Sequence, residues 1–217
     1  MSFIYYPGCK YTNRAPENSK KLTEYLHERF DMKITGCCST YYRSLSSKDT
    51  AVYVCPTCCA ILQESAPQAE IMSVWELLNE DDKFPWPNYE GKEVTIQDCW
   101  RTHDNRPMQD AIRSILRRMN FQTVEIQEAY DKANFCGISL LKLQSPRYER
   151  LAPKRFIEDA GDKFIPCTEE DLIRQMKAHC LQYQTDTVVC YCTGCLEGLQ
   201  IGGAHGVHLM DLVINAS

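Results

Sequence analysis

Thirteen of the 217 residues are cysteines, and most of them fall in an ordered pattern that occurs twice. In the first copy a β-like run, SFIYYPGC, ends at Cys9. A helical pattern follows with Leu22, Tyr25, Leu26 and Phe30 on one face, and Asn13 or Asn18 is placed to start it. The stretch KITGCC then brings Cys37 and Cys38, and the β-branched run AVYV delivers Cys55-Pro56-Thr57-Cys58-Cys59, with Leu62 four residues past Cys58. The copy closes with Ile71 to Leu78, which reads as a strand end entering a helix.

The second copy begins with KEVTIQDC, ending at Cys99. Met108, Ile112, Ile115, Leu116 and Met119 recur at helical spacing, and Pro107 suits the first turn of that helix. A short strand, TVEIQ, precedes Asn134-Phe135-Cys136-Gly137. The run DTVVCY delivers Cys192-Thr193-Gly194-Cys195, with Leu199 four residues past the last cysteine. Val207 to Val213 closes the copy and aligns with Ser73 to Leu78, acid on acid and apolar on apolar.

Strands alternating with helices predict an α/β fold of two similar units with mainly parallel sheets, related by internal duplication. The polar, Pro-bearing stretch 79–91 divides them, so the units are expected at 1–90 and 91–217. Cys38 to Cys55 is 17 positions and Cys136 to Cys192 is 56, so the second copy carries an insertion. A helix from Glu169 to Tyr183 is expected within it, capped by Thr168 with Asp171 in its third position. Cysteines at strand ends converge at one edge of each sheet, where such folds place their sites.

Net charge is −5 and no Lys/Arg run stands out, which argues against a nucleic-acid binder. No apolar stretch approaches the roughly 20 residues of a membrane span, and MSFIYYPGCK lacks the features of a secretory signal. A cytoplasmic, reducing location is therefore expected. There, clustered thiols more often bind metal or do redox work than pair in disulfides.

Cys9, Cys37, Cys38, Cys55 and Cys58 arrive from three chain segments. Structural zinc takes four ligands. Five thiolates with a vicinal pair are one too many, which favours an iron–sulfur cluster. The second copy offers Cys99, Cys136, Cys192 and Cys195, enough for a four-iron cubane or for zinc. Cys190 is a candidate fifth ligand or a strand cysteine in the core.

The order Cys, Cys-Cys, CxxC, repeated twice over nearly the whole chain, resembles the tandem CCG (cysteine-rich) domain family, to which the disulfide-reducing subunit of heterodisulfide reductase belongs. The resemblance implies tandem domains, each able to hold a non-cubane [4Fe-4S] cluster on five cysteines. It also implies reduction of a small or protein-bound disulfide, with electrons from a partner iron–sulfur or flavin subunit, or from ferredoxin. Carried over, the first cluster falls on Cys9, Cys37, Cys38, Cys55 and Cys58, with substrate sulfur bound at a cluster iron beside Cys37 and Cys38. The second site departs from the family pattern, because Phe135 stands where the first cysteine of the pair belongs. Its cofactor is then a second [4Fe-4S] cluster, cubane or non-cubane, or zinc. In the first site Ser39 replaces the glycine of the CCG signature.

Two other functions are compatible with the same residues: a non-enzymatic electron-transfer subunit, and a zinc-stabilised interaction module. No GxGxxG, GxxxxGK[ST] or tandem ferredoxin run is present, so an electron-supplying partner is expected. Substrate-accessible iron is commonly oxygen-labile, which suggests an anaerobic setting. Among the remaining residues, Cys59 reads as a buried neighbour or an accessory thiol, and Cys180 as core. Cys167 lies in the insertion, outside the pattern. His103 is a possible proton donor near the second site or a loop histidine. His205 and His208 border a turn, and the repeat equates His208 with Ser73. Arg101 and Arg106 read as solvated side chains or as attractants for an anion. Tyr5, Tyr6, Tyr41 and Tyr42 flank first-site cysteines, as cluster shields or as packing.

Overall fold

The computed structural model describes residues 2–214. The first half runs β1 (Ser2–Tyr6), α1 (Cys9–Arg14), α2 (Pro16–Phe30), β2 (Lys33–Ile34), α3 (Cys38–Tyr41), β3 (Asp49–Tyr53), α4 (Pro56–Ser65), β4 (Glu70–Ser73) and α5 (Val74–Glu80). The second runs β5 (Glu93–Gln97), α6 (Arg106–Arg118), β6 (Gln122–Val124), α7 (Pro146–Leu151), α8 (Glu169–Cys180), β7 (Val188–Cys190), α9 (Thr193–Ile201), β8 (Gly206–His208) and α10 (Leu209–Ile214).

Each half builds one four-stranded sheet, and both have the same strand order: β2-β1-β3-β4 and β6-β5-β7-β8. Every pairing is parallel. Strands buried on both faces read as continuous apolar runs, which is why AVYV and TVVC become the inner strands β3 and β7. Tyr6 pairs with Tyr53 and Tyr53 with Ser73; in the second sheet Gln97 pairs with Cys190 and Cys190 with His208. The register therefore places Ser73 and His208 at equivalent points, as the repeat required.

Local chemistry sets the helix starts. Asn105 caps α6 by accepting the Met108 N–H at 3.2 Å, with Pro107 in the first turn. Thr168 caps α8 by accepting the Asp171 N–H at 3.2 Å, and α8 ends at Cys180 rather than Tyr183. Neither Asn13 nor Asn18 starts a helix: α2 begins at Pro16 with Ala15 before it, since proline has no N–H to lose at that position. The strand foreseen at TVEIQ is shorter and earlier, Gln122–Val124, and Cys9 opens α1 rather than closing β1.

The halves pack reciprocally. Helix α5 of the first lies on α6 of the second, and α10 of the second lies on α2 of the first. One continuous cluster of buried side chains runs through both sheets. Tyr53 Oη accepts from Asn105 Nδ2 at 2.8 Å across this interface. The insertion holds more than the one helix expected: besides α8 it forms a 3-10 segment (Gly137–Leu141), α7 and a single π-helical turn (Lys154–Glu158). Helix α7 packs on α3 and α4 of the first half. Ser65 Oγ donates to the Leu151 carbonyl at 2.5 Å, and the Glu64 carboxylate accepts the N–H groups of Lys154 and Arg155 at 2.8 and 2.9 Å. Among the described residues no helix is long and apolar enough to cross a membrane.

Candidate metal centres

The CxxC pairs sit at helix N-termini. Cys55 precedes α4 and Cys58 is its third residue; Cys192 and Cys195 hold the same places on α9. The first N–H groups of a helix lack intrahelical partners, and the dipole there favours negative charge, so a thiolate is stabilised. At Cys55 the effect is large. Hydrogen bonding from the Cys58 thiol, joined by the N–H groups of Cys58 and Thr57, overcomes burial and brings its pKa down to about 6.

In the second half Cys99, Cys136, Cys192 and Cys195 are all buried, with their four sulfurs within 4.8 Å of one another. Cys99 Sγ lies 3.4 Å from Cys136 Sγ, which lies 3.8 Å from Cys192 Sγ. Four thiolates at ~2.3 Å from one tetrahedral ion stand about 3.8 Å apart, so the group fits a single ion.

Glycines make this closeness possible. Gly137 has φ +53°, and a Cβ on it would lie 1.9 Å from the Gly194 carbonyl oxygen; one on Gly198 would lie 2.6 Å from Gly137 Cα. Cys99 is held from behind: its N–H donates to Tyr191 Oη at 3.0 Å, and that hydroxyl donates to Asp98 at 3.0 Å. Arg113 pairs with the same buried carboxylate at 2.7 Å. Cys190 does not join the four. Its thiol is turned toward the Cys192 carbonyl at 3.8 Å, and burial pushes its pKa up. Phe135 stacks on His179 with ring centroids 3.7 Å apart, and burial brings that histidine down to about 4.

The first site is wider and more open. Among the described residues no three of its cysteines bring their sulfurs within 4.8 Å of one another. Cys9 is exposed, Cys37 and Cys55 are half-buried, and Cys38 and Cys58 are buried. The five thiols nonetheless face one another closely enough to shift each other's acidity. Cys58, beside Cys38 and Cys55 and buried, is raised well above its ordinary value. Cys9 is raised by burial and by the charges of Cys37, Cys55 and Cys38. Against the cost of burial, Ser39 holds Cys37 below the usual thiol value, its hydroxyl 3.0 Å from Cys37 Sγ. Gly8, at φ +77°, lets the Cys9 turn approach Cys55: a Cβ there would lie 3.2 Å from Cys55 Cβ.

Tyr5 and Tyr6 are buried beside this site. Burial, with Cys38 and Cys58, pushes Tyr6 up to about 12. Tyr41 is half-exposed and Tyr42 meets Arg43. The wall that sequence reasoning missed comes from the insertion. Tyr148 on α7 faces Cys55, Cys9 and Cys38, and burial chiefly raises its phenol to about 12. Arg147 donates to the Ser39 carbonyl at 3.1 Å and to Thr40 Oγ1 at 2.9 Å. Nothing in a six-residue helix signals such a contact.

The remaining candidates separate cleanly. Cys59 is buried against Asn105 and Tyr53, and burial raises it to about 12. Cys180 meets the Leu199 carbonyl at 3.8 Å, and Cys167 lines a cleft beside Phe135. His103 Nδ1 lies 2.8 Å from the Trp100 carbonyl and 3.0 Å from Arg155 Nη1. His205 lies 3.3 Å from Thr187 Oγ1. His208 accepts the Met210 N–H at 3.2 Å. Arg106 is exposed and paired with Asp110 at 2.9 Å. Arg101 corrects the expectation of a solvated side chain: it is 6% exposed.

Fold and sites together define a class: a twofold-repeated parallel α/β protein with a compact, buried tetrathiolate site and a wider five-cysteine one beside it. No protein-family model, curated protein or solved structure matches the chain.

Proposed function

We propose that this chain is an iron–sulfur thiol–disulfide oxidoreductase, of the kind found in the disulfide-reducing subunit of heterodisulfide reductase, with the two sites differing in kind. Cys9, Cys37, Cys38, Cys55 and Cys58 hold a non-cubane [4Fe-4S] cluster; Cys99, Cys136, Cys192 and Cys195 hold one tetrahedral zinc ion. The observation that carries this reading is the contrast between the sites: four sealed thiols at single-ion spacing, against five wider-set thiols with Cys9 exposed.

The reaction consumes one disulfide, two electrons and two protons and yields two thiols. The electrons come from a partner iron–sulfur or flavin subunit, or from ferredoxin. Bound at the first site, the cluster supplies the electrons and an iron that accepts substrate sulfur. The chain's own groups do the rest. The helix N-termini at Cys55 and Cys37 favour thiolate, Tyr5 and Tyr6 close the inner side, and the exposed Cys9 edge is the approach for substrate. Arg147 pins α7 over α3, and this keeps Tyr148 at the rim.

Metal and acid-labile sulfide analysis of anaerobically purified chain tests the assignment. About four iron, four sulfide and one zinc per chain are expected. Eight iron without zinc overturns the second-site assignment, and zinc alone, with failed iron–sulfide reconstitution, overturns the oxidoreductase. Cys37→Ala or Cys38→Ala is expected to abolish disulfide turnover. A first-site spectrum that ignores added disulfides and thiols would instead favour the electron-relay reading.

A further inference from the structure

Arg101 is the second residue after Cys99, on a 3-10 turn (Trp100–Thr102) that packs against α4, the helix carrying Cys58. Its guanidinium is buried, its Nε has no hydrogen-bond partner, and among the described residues no carboxylate pairs with it. Its neighbours Arg106, Arg113 and Arg155 all have acidic partners. The guanidinium lies over the Phe156 ring of the insertion, 5.6 Å from Cζ to centroid. A buried cation without a counter-charge costs several kcal/mol, so a structure that keeps one must set an anion against it.

The anions present are thiolates, and they come from both halves. Arg101 follows the ligand Cys99 by two residues, the turn that carries it packs against α4, and Cys55 and Pro56 at the start of α4 line one small cavity with Tyr191 and Thr193, the neighbours of Cys192. Four thiolates around one divalent ion keep a net charge of about −2. Asp98, the other charged group behind Cys99, is already matched by Arg113.

We propose that Arg101 is the counter-charge shared by the two thiolate sites, a positioning residue whose fixed positive charge retains the ion at the compact site and raises the reduction potential of the five-cysteine site. This rests on the two-site reading above and extends it, because it makes the charge state of one site felt at the other through a single side chain.

The test compares Arg101→Met, which keeps length and removes charge, with Arg101→Lys, which keeps charge. Both are made in the full chain purified with its metals. Zinc extraction by a chromophoric chelator is followed, together with the midpoint potential of the first site by dye-mediated titration. Arg101→Met is expected to weaken zinc retention about ten- to a hundredfold, the range for outer-shell partners of a metal site, and to move the first-site potential to more negative values. Arg101→Lys is expected to stay close to the parent on both readouts. Equal losses in the two variants, including failure of both to fold, would mean that Arg101 acts by shape, and no loss in either would remove it from both sites. The zinc measurement does not depend on disulfide turnover, so failure of the enzyme reading leaves it interpretable.

Discussion

Ser73 and His208 stand at the same point of the repeat, and each caps the helix behind it. Ser73 accepts from Glu76 N–H at 3.2 Å and Glu76 reaches back to the Ser73 N–H at 3.0 Å, a closed capping box. In the second half Asp211 holds the place of Glu76 but receives Tyr11 Oη and, at 2.9 Å, Asn18 Nδ2 from the other half. His208 caps alone with a neutral ring, and burial holds its pKa at about 4 against an ordinary 6.5. An unfolded chain binds that proton first as pH falls. The stabilisation is thus complete above pH 6.5 and is lost toward pH 4, at most about 3 kcal/mol. Urea unfolding of parent and His208→Ser between pH 7 and 4.5 should show a shallower acid loss in the variant; parallel curves would place the loss elsewhere. Gly137→Ala should destroy the compact site, since its Cβ meets the Gly194 carbonyl. Gly161→Ala, at φ +49° with nothing within 4 Å, should cost only about 1 kcal/mol and leave metal uptake at the compact site unchanged. The cysteine positions and the Ser73–His208 equivalence were legible in sequence. The burial of Arg101 was not, because nothing local distinguishes it from the solvated Arg106.

At the scale of elements, α8 was legible because twelve residues carry a period and a Thr168 cap. Helix α7 and the π-helical turn were not: at six and five residues they are too short for a periodic signal, and their stability comes from docking on α3 and α4. That docking is polar at its ends, through Arg147 at one and Glu64 at the other. Arg147→Ala removes two hydrogen bonds from an exposed residue, so it should cost no more than about 1 kcal/mol. It should also loosen the wall beside Cys37, with faster bleaching of the first site in air at nearly unchanged thermal stability. An unaltered bleaching rate would show that α7 does not guard that edge.

For the whole molecule, one buried cluster joins both sheets, so the two cysteine sites share a folding unit. If the compact site holds a structural metal, stripping it should lower the melting temperature by more than about 10 °C, since such a metal contributes several kcal/mol and each is worth roughly 2–4 °C at this size. The loss should appear as one transition. Two separated transitions would mean that the halves fold independently. The fold class was legible from the repeat, while the reciprocal packing of α5 on α6 and α10 on α2 was not, because the pairing of whole faces leaves no mark in the order of residues. That packing is the geometry of a symmetric dimer enclosed in one polypeptide. In a true dimer of identical chains, any substitution that seals one centre seals its twin. Here the covalent tether frees the twins from each other. Phe135 can close one centre while Cys37 stays in the other, and one half alone can carry an arginine that faces both.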